Sequence, residues 1–180
     1  YRYSLATDRG YAEIYGYIKL FWAILLLSWL TLKKYQPVYA VGTLLLCYLL
    51  LDDSLKIHET MGEQLVDIMG FIPLLGLRAK DFGELTVSAL AGLFFLVTGW
   101  IAFRKSSPFA RRVGLYLLFG VIALAVFGVG ADILHQLLGD RFPWTNTPLV
   151  ILEDGGELVV VSVLCWFSYS LALHELSPPK

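Results

Sequence analysis

Residues 82–103, FGELTVSALAGLFFLVTGWIAF, decide the fold class, because Glu84 is the only charged side chain in these 22 residues. A helix of about 20 apolar residues crosses the ~30 Å hydrocarbon core of a bilayer. Four other stretches are similarly apolar, and together the five predict spanning helices at about 17–35, 38–60, 82–103, 113–138 and 148–173. The sequence therefore predicts an all-α, polytopic membrane helical bundle of about five transmembrane helices.

The composition agrees with this class and excludes others. Hydrophobic residues make up 57% of the chain and the net charge is only −1, so no basic surface for nucleic acid is expected. Cys47 and Cys165 each lie inside an apolar stretch, where neither a disulfide framework nor a C-x-x-C motif is formed. The first residues lack a basic start followed by an apolar run, so no signal peptide is expected. Without repeats or long linkers, residues 1–180 are expected to form a single integral membrane domain.

The distribution of charge predicts the orientation. Five spans place residues 33–34, the 104–112 turn and the C-terminus on one face, with a net charge of +6, and leave −7 on the other. Lysine and arginine in short loops favour the cytoplasm. We therefore expect a bacterial inner or plasma membrane protein with an extracytoplasmic N-terminus and a cytoplasmic C-terminus.

Three predicted helices bring acidic and imidazole side chains to the acidic face. Because alternate helices run in opposite directions, groups late in the second and fourth helices and early in the fifth lie at one depth. Glu157 is the most informative, since it lies about two and a half turns inside the fifth helix. A charge there costs on the order of 2.5–3.5 kcal/mol, so it should be paired, protonated or bound to a cation. The candidate metal ligands are Asp53, His58, Glu59, Asp132, His135, Glu153 and Glu157.

The spacing of these residues suggests how they are arranged. Asp132 and His135 are three residues apart and share a helix face, on which Ala125 and Gly128 indicate a close helix contact. Glu153 and Glu157 form an i, i+4 pair. Mixed carboxylate and imidazole ligands suit Zn, Mn or Fe, although di-iron bundles use Glu-x-x-His twice and this chain does not. The sequence does not decide which face of the second helix turns inward.

Two segments resemble a known group. The stretch LLLDDSLKIHETMGEQL and the later ILEDGGELVVVSV resemble a loose group of uncharacterised bacterial multi-pass membrane proteins with LDE-x4-HE and E-[ED]-x-x-E segments. On this resemblance Asp52, Asp53, His58 and Glu59 match the first segment, and Glu153, Asp154 and Glu157 match the second; Asp53 stands where the group usually has Glu. The resemblance implies no reaction.

Several functions stay open at this point. The first is a metalloprotein acting on a lipid or other apolar substrate through a metal-bound water. The second is an accessory subunit of a larger membrane complex, in which His58 and His135 ligate haem or a pigment, or the chain binds a quinone. The third is an ion or proton carrier that uses Glu157 and Asp132. A serine hydrolase that uses Ser54 and His58 is a fourth possibility, but the third residue of a catalytic triad and an oxyanion site are not defined. The expected partners are the lipid bilayer and other membrane subunits.

Overall fold

The computed structural model describes residues 10–74, 77–139 and 142–176, which are helical almost throughout. Their α-helices, in chain order, are α1 (Tyr11–Lys34), α2 (Pro37–Leu55), α3 (Ile57–Met69), α4 (Ala79–Lys105), α5 (Pro108–Ala125), α6 (Ala131–Gly139) and α7 (Asn146–Leu176). A π-helical segment, Val126–Gly130, joins α5 to α6, and a short 3₁₀ turn, Pro143–Thr145, precedes α7. The all-α prediction is confirmed.

Five segments are long and apolar enough to cross a membrane, as predicted. They are Tyr11–Lys34, Pro37–Leu55, Ala79–Lys105, Pro108–His135 and Asn146–Glu175, with mean hydropathies between 1.5 and 2.4. Most of their surface faces outward, because at most 33% of the residues in the 18-residue apolar stretch of each segment are buried within the chain. An apolar exterior of this extent is stable in lipid and not in water. The protein is therefore an integral membrane protein.

The core lies where α1, α2, α5 and α7 meet. Its central part, called here the apolar layer, consists of buried aliphatic side chains: Leu20, Ala23, Ile24, Leu27, Leu46, Leu117, Val161 and Leu164. Small residues allow the close packing, since a Cβ on Gly114 would lie 2.6 Å from a methyl of Val38. Glycine at such crossings brings membrane helices together.

The second predicted helix is broken at a position without an obvious sequence signal. Helical conformation continues past the predicted span to Met69, but Lys56 adopts a left-handed conformation with φ 53° and separates α2 from α3. A left-handed non-glycine residue changes the direction of the chain. The spanning part therefore ends at Leu55, and α3 is a separate amphipathic helix that packs against α4.

The start of α4 also differs in detail from the prediction. The predicted span begins at residue 82, whereas the N-cap of α4 is Arg78 and Asp81 is the third helical residue of a capping box. The Asp81 carboxylate accepts hydrogen bonds from the Arg78 backbone N–H, at 2.7 Å, and from its guanidinium, at 2.8 Å. These bonds explain why an acidic side chain that is only 4% exposed is tolerated there.

The basic turn between α4 and α5 is held by its own side chains. The Arg111 guanidinium donates to the carbonyl oxygens of Phe103, Arg104 and Ser106 at 2.9–3.0 Å. The last carbonyls of a helix have no partner within the helix, and a nearby cation complements the helix dipole. Arg111 thus caps α4 and fixes this end of the bundle, called here the basic end.

Candidate functional site

Three helices place carboxylates together at the opposite end of the bundle. Glu13 comes from the first turn of α1, Asp53 from the last turn of α2, and Glu153, Asp154 and Glu157 from α7. The charges of the other four carboxylates all act on Glu157, so the five groups share one electrostatic environment. They are called here the acidic cluster. Asp53 is exposed and the other four are half-buried, so the cluster is open to its surroundings.

A tyrosine hydroxyl joins two helices within this cluster. Tyr17 lies one turn after Glu13 on α1, and its hydroxyl donates to the Glu13 carboxylate. The same hydroxyl also interacts with Asp53 of α2. Tyr17 therefore acts on two carboxyl groups that belong to different helices, an arrangement called here the Tyr17 bridge.

The Glu157 side chain contacts the π-helical segment. A Cβ placed on Gly128 would overlap Glu157 Oε1, and a Cβ on Gly156 would overlap the Phe127 ring. Only glycine at both positions allows α7 to approach the segment Val126–Gly130 this closely. A π-helical turn displaces the usual i, i+4 hydrogen bonds, and such turns occur frequently at functional sites. The expectation of a close helix contact at Gly128 is confirmed.

The break after α2 creates a second polar pair. The Asp52 carboxylate accepts a hydrogen bond from the His58 backbone N–H at 3.0 Å, and its other oxygen lies 3.0 Å from His58 Nδ1. This hydrogen bond to Asp52 raises the pKa of His58 above its ordinary value of 6.5, against the opposing effect of burial, with smaller contributions from the charges of Asp52, Glu59 and Glu84. The pair closes the corner between α2 and α3.

The remaining predicted ligands are found in separate places. Glu59 forms an ion pair with Lys56 at 3.2 Å. His135 Nδ1 lies 3.7 Å from Glu153 Oε2, which brings α6 against α7. The side chain of Asp132 lies outside the part of the chain that the structure describes.

These placements bear on the predicted metal site. Asp53 and Glu157 share the acidic cluster, His58 is bound to Asp52, and His135 lies beside Glu153. Among the described residues, no three His, Cys, Asp or Glu side chains come close enough to hold a metal ion. The metal site, and the choice of Zn, Mn or Fe, stay predictions.

The apolar layer separates the acidic cluster from a polar group at the basic end. There, Lys34 Nζ lies 2.6 Å from Glu175 Oε2, and the buried Tyr39 hydroxyl donates to Glu175 Oε1 at 3.4 Å. Between these ends, α1, α2 and α7 contribute aliphatic side chains to the core. The acidic cluster is thus accessible from its own end of the bundle and closed toward the other.

Sequence reasoning missed Glu13 and Tyr17. The first span was expected to begin at Tyr17, which leaves Glu13 outside it. In the structure α1 begins at Tyr11, so both side chains belong to the bundle. The i, i+4 spacing of Glu13 and Tyr17 is the signal that could have identified them.

The comparison with known proteins gives a family and no activity. A family model described as a domain of unknown function, DUF8692, matches residues 9–173. No curated protein and no solved structure matches the chain. The matched region contains the acidic cluster, the Asp52–His58 pair, the first four spanning segments and the fifth as far as residue 173.

Proposed function

The chain belongs to the DUF8692 family of unknown function, and we propose that it is an integral membrane protein that takes up and releases a proton at the acidic cluster. The proposal belongs to the ion and proton carrier class that the sequence left open. It rests on the five carboxyl groups that three helices bring to one end of the bundle.

A tyrosine hydroxyl has one hydrogen to donate. Tyr17 donates it to Glu13, and the same hydroxyl also interacts with Asp53 of α2. When both carboxyl groups are ionised, two acceptors compete for this one hydrogen. A proton bound by either carboxyl group leaves the tyrosine hydrogen to the other, and its loss restores the competition.

The surroundings of the bridge favour the same chemistry. Glu157, Glu153 and Asp154 add three more carboxylates to the site. Carboxylates that share a site repel one another when all are ionised, and a bound proton relieves this repulsion. Ionisable groups within membrane segments commonly serve as proton relays.

The apolar layer determines the direction of exchange. A proton reaches the cluster from the acidic end, where Asp53 is exposed. Toward the basic end it would meet the aliphatic side chains of Leu20, Ile24 and Leu46 before reaching Glu175. In this conformation the site binds and releases protons on one side, and transport across the membrane would require the layer to open.

Infrared difference spectroscopy on the purified protein tests the proposal. A protonated carboxyl group has a C=O stretching band distinct from that of a carboxylate, and we expect this band near neutral pH in the wild type. The triple variant Glu13→Gln, Asp53→Asn, Glu157→Gln should remove it, and Tyr17→Phe should shift it by removing the hydroxyl that acts on Glu13 and Asp53. Glu63→Gln, which changes an exposed carboxylate on α3, and Tyr116→Phe, which changes an exposed tyrosine on α5, are the matched controls.

The outcomes are distinct. A wild-type spectrum without a protonated carboxyl band between pH 6 and 8, or a band unaffected by the triple variant, contradicts the proposal. Proton flux into liposomes is a separate measurement: steady flux that Glu157→Gln abolishes would extend proton binding to transport. Without flux, the infrared band still identifies a binding site.

The other predicted functions are tested on the same preparation. Stoichiometric Zn, Mn or Fe that is lost in the His135→Ala, Glu157→Ala variant would favour the metalloprotein. A strong visible absorption band would favour a haem- or pigment-binding subunit. We further propose that the acidic end is extracytoplasmic, because the basic residues cluster in tight turns at the opposite end. Labelling of cysteines introduced at residues 63 and 105 from either side of the membrane tests this orientation.

A further inference from the structure

A groove on the outer surface of α1 and α7 has a chemical character different from that of the acidic cluster. It encloses about 550 Å³, a volume within the usual range of small-molecule sites. Its apolar wall is mainly aromatic, and a single ammonium group lies in it. The groove is lined by, among others, Tyr15, Lys19, Trp22, Ser162, Trp166 and Tyr169.

Lys19 is held in the groove by uncharged partners. Its Nζ donates to Ser162 Oγ at 2.7 Å and lies 4.0 Å from the centre of the Tyr15 ring. The Ser162 hydroxyl in turn donates to the Leu158 carbonyl oxygen at 2.6 Å. Ser162 therefore uses its only hydrogen within α7 and positions the ammonium by accepting from it.

The charge of Lys19 is left without a carboxylate in the described part of the chain. No ion pair of Lys19 is formed there, although Glu13 lies on the same helix. An ammonium has three N–H donors, and Ser162 accepts one of them. An uncompensated charge in a membrane segment is costly, so an anion beside Lys19 would be stabilised. The groove is therefore complementary to a negatively charged ligand.

The depth of Lys19 indicates where that ligand comes from. At 1.5 Å per residue, a ~30 Å hydrocarbon core corresponds to about 20 residues. Counted back from Lys34, this places the opposite boundary near residue 14. The Lys19 backbone then lies about 7 Å inside the boundary, and its side chain returns toward Tyr15, one turn closer to the headgroups. This is the arrangement of a lysine that extends to the interface.

We propose that this groove binds one anionic phospholipid of the leaflet at the acidic end. The phosphate lies against Lys19, and one acyl chain runs along the exposed faces of Trp22, Trp166 and Tyr169. Their aromatic rings offer a broad apolar surface against which the acyl chain packs. Aromatic and basic side chains between two spanning helices give such a site both shape and charge selectivity.

Quenching of tryptophan fluorescence by brominated lipids tests the site. The protein should retain Trp22 and Trp166 and carry phenylalanine in place of Trp29, Trp100 and Trp144, so that emission comes from the groove. It is reconstituted in phosphatidylcholine vesicles containing a small fraction of brominated phosphatidylglycerol or, in parallel, brominated phosphatidylcholine. One lysine near the headgroups contributes about 1 kcal/mol, so we expect phosphatidylglycerol to be preferred about fivefold.

Charge variants separate a specific site from general lipid contact. Lys19→Ala should abolish the preference, Lys19→Arg should retain it, and Lys33→Ala, which removes a lysine from the basic end, should leave it unchanged. Circular dichroism checks that each variant is folded. If Lys19→Ala fails to fold, Lys19→Gln is used in its place.

Three results would overturn the proposal. Equal quenching by the two lipids would show no selectivity. A preference that survives Lys19→Ala or Lys19→Gln would place the anion elsewhere. A preference abolished by inorganic phosphate at the concentration of the lipid would identify a soluble phosphate site instead of a lipid site.

Discussion

Replacing Gly83 with alanine should destabilise the packing of α3 on α4. A Cβ on Gly83 would contact the Gly62 carbonyl oxygen and would lie 2.8 Å from its carbonyl carbon. From the other side, a Cβ on Gly62 would lie 2.7 Å from the Glu84 backbone nitrogen. All of these neighbours are backbone atoms, so no change of side-chain rotamer relieves the overlap.

The size of the effect follows from two opposing terms. Overpacking costs about 1–3 kcal/mol, and a clash with backbone belongs at the upper end of this range. Replacing glycine with alanine inside a helix stabilises the helical conformation by about 1 kcal/mol. We therefore expect Gly83→Ala to reduce the free energy of unfolding by about 2 kcal/mol.

Gly92→Ala is the matched control on the same helix. A Cβ on Gly92 would have no neighbour within 4 Å. The free energy of unfolding of this variant should therefore rise by up to ~1 kcal/mol, from helix propensity alone. The two variants should then differ by about 3 kcal/mol. Reversible unfolding in mixed detergent micelles, followed by circular dichroism, measures the difference. Two variants of equal stability would refute the close crossing at Gly62 and Gly83.

Two further predictions concern the polar groups. Gly128→Ala should displace the Glu157 carboxylate, reduce stability by about 1 kcal/mol and alter the protonated carboxyl band in infrared spectra. Gly130→Ala, whose new Cβ would have its nearest neighbour at 3.9 Å, should do neither, and the same response from both variants would contradict the contact. The pKa of His58 is raised in the folded protein, so the stabilisation by Asp52 should be fully present below pH 6.5 and be lost as the pH rises through the folded value. Unfolding measured from pH 5 to 9 should show this decline, of about 1 kcal/mol, in the wild type, and a profile for Asp52→Asn with the same slope would contradict it.

The five spans could be predicted because hydrophobic length is a property of the sequence itself. The break at Lys56 could not, since left-handed conformations are usually signalled by glycine or asparagine and not by lysine. This break changes the site. In a continuous helix, Asp52 and His58 are six residues apart and about 240° around the axis, so they would face different directions. The turn at Lys56 brings them into contact.

The convergence of acidic groups was predictable, but their partners were not. Alternating helix direction places Asp53 and Glu157 at one end of any five-helix bundle of this topology. Which side chains meet there depends on the rotation of each helix, and hydropathy constrains rotation weakly when most of each helix faces lipid. Glu13 entered the site because α1 begins six residues earlier than the predicted span at 17–35.

The apolar layer across the middle of the bundle also has an electrical consequence. Voltage falls mainly across the part of a membrane with the lowest dielectric constant, and an elementary charge crossing a full 100 mV gains about 2.3 kcal/mol. A proton that reaches the Tyr17 bridge from the acidic end stops before this layer. Such a proton crosses only a minor part of the field. Proton binding at the acidic cluster should therefore follow the pH on the side of the acidic end and be nearly independent of the membrane potential.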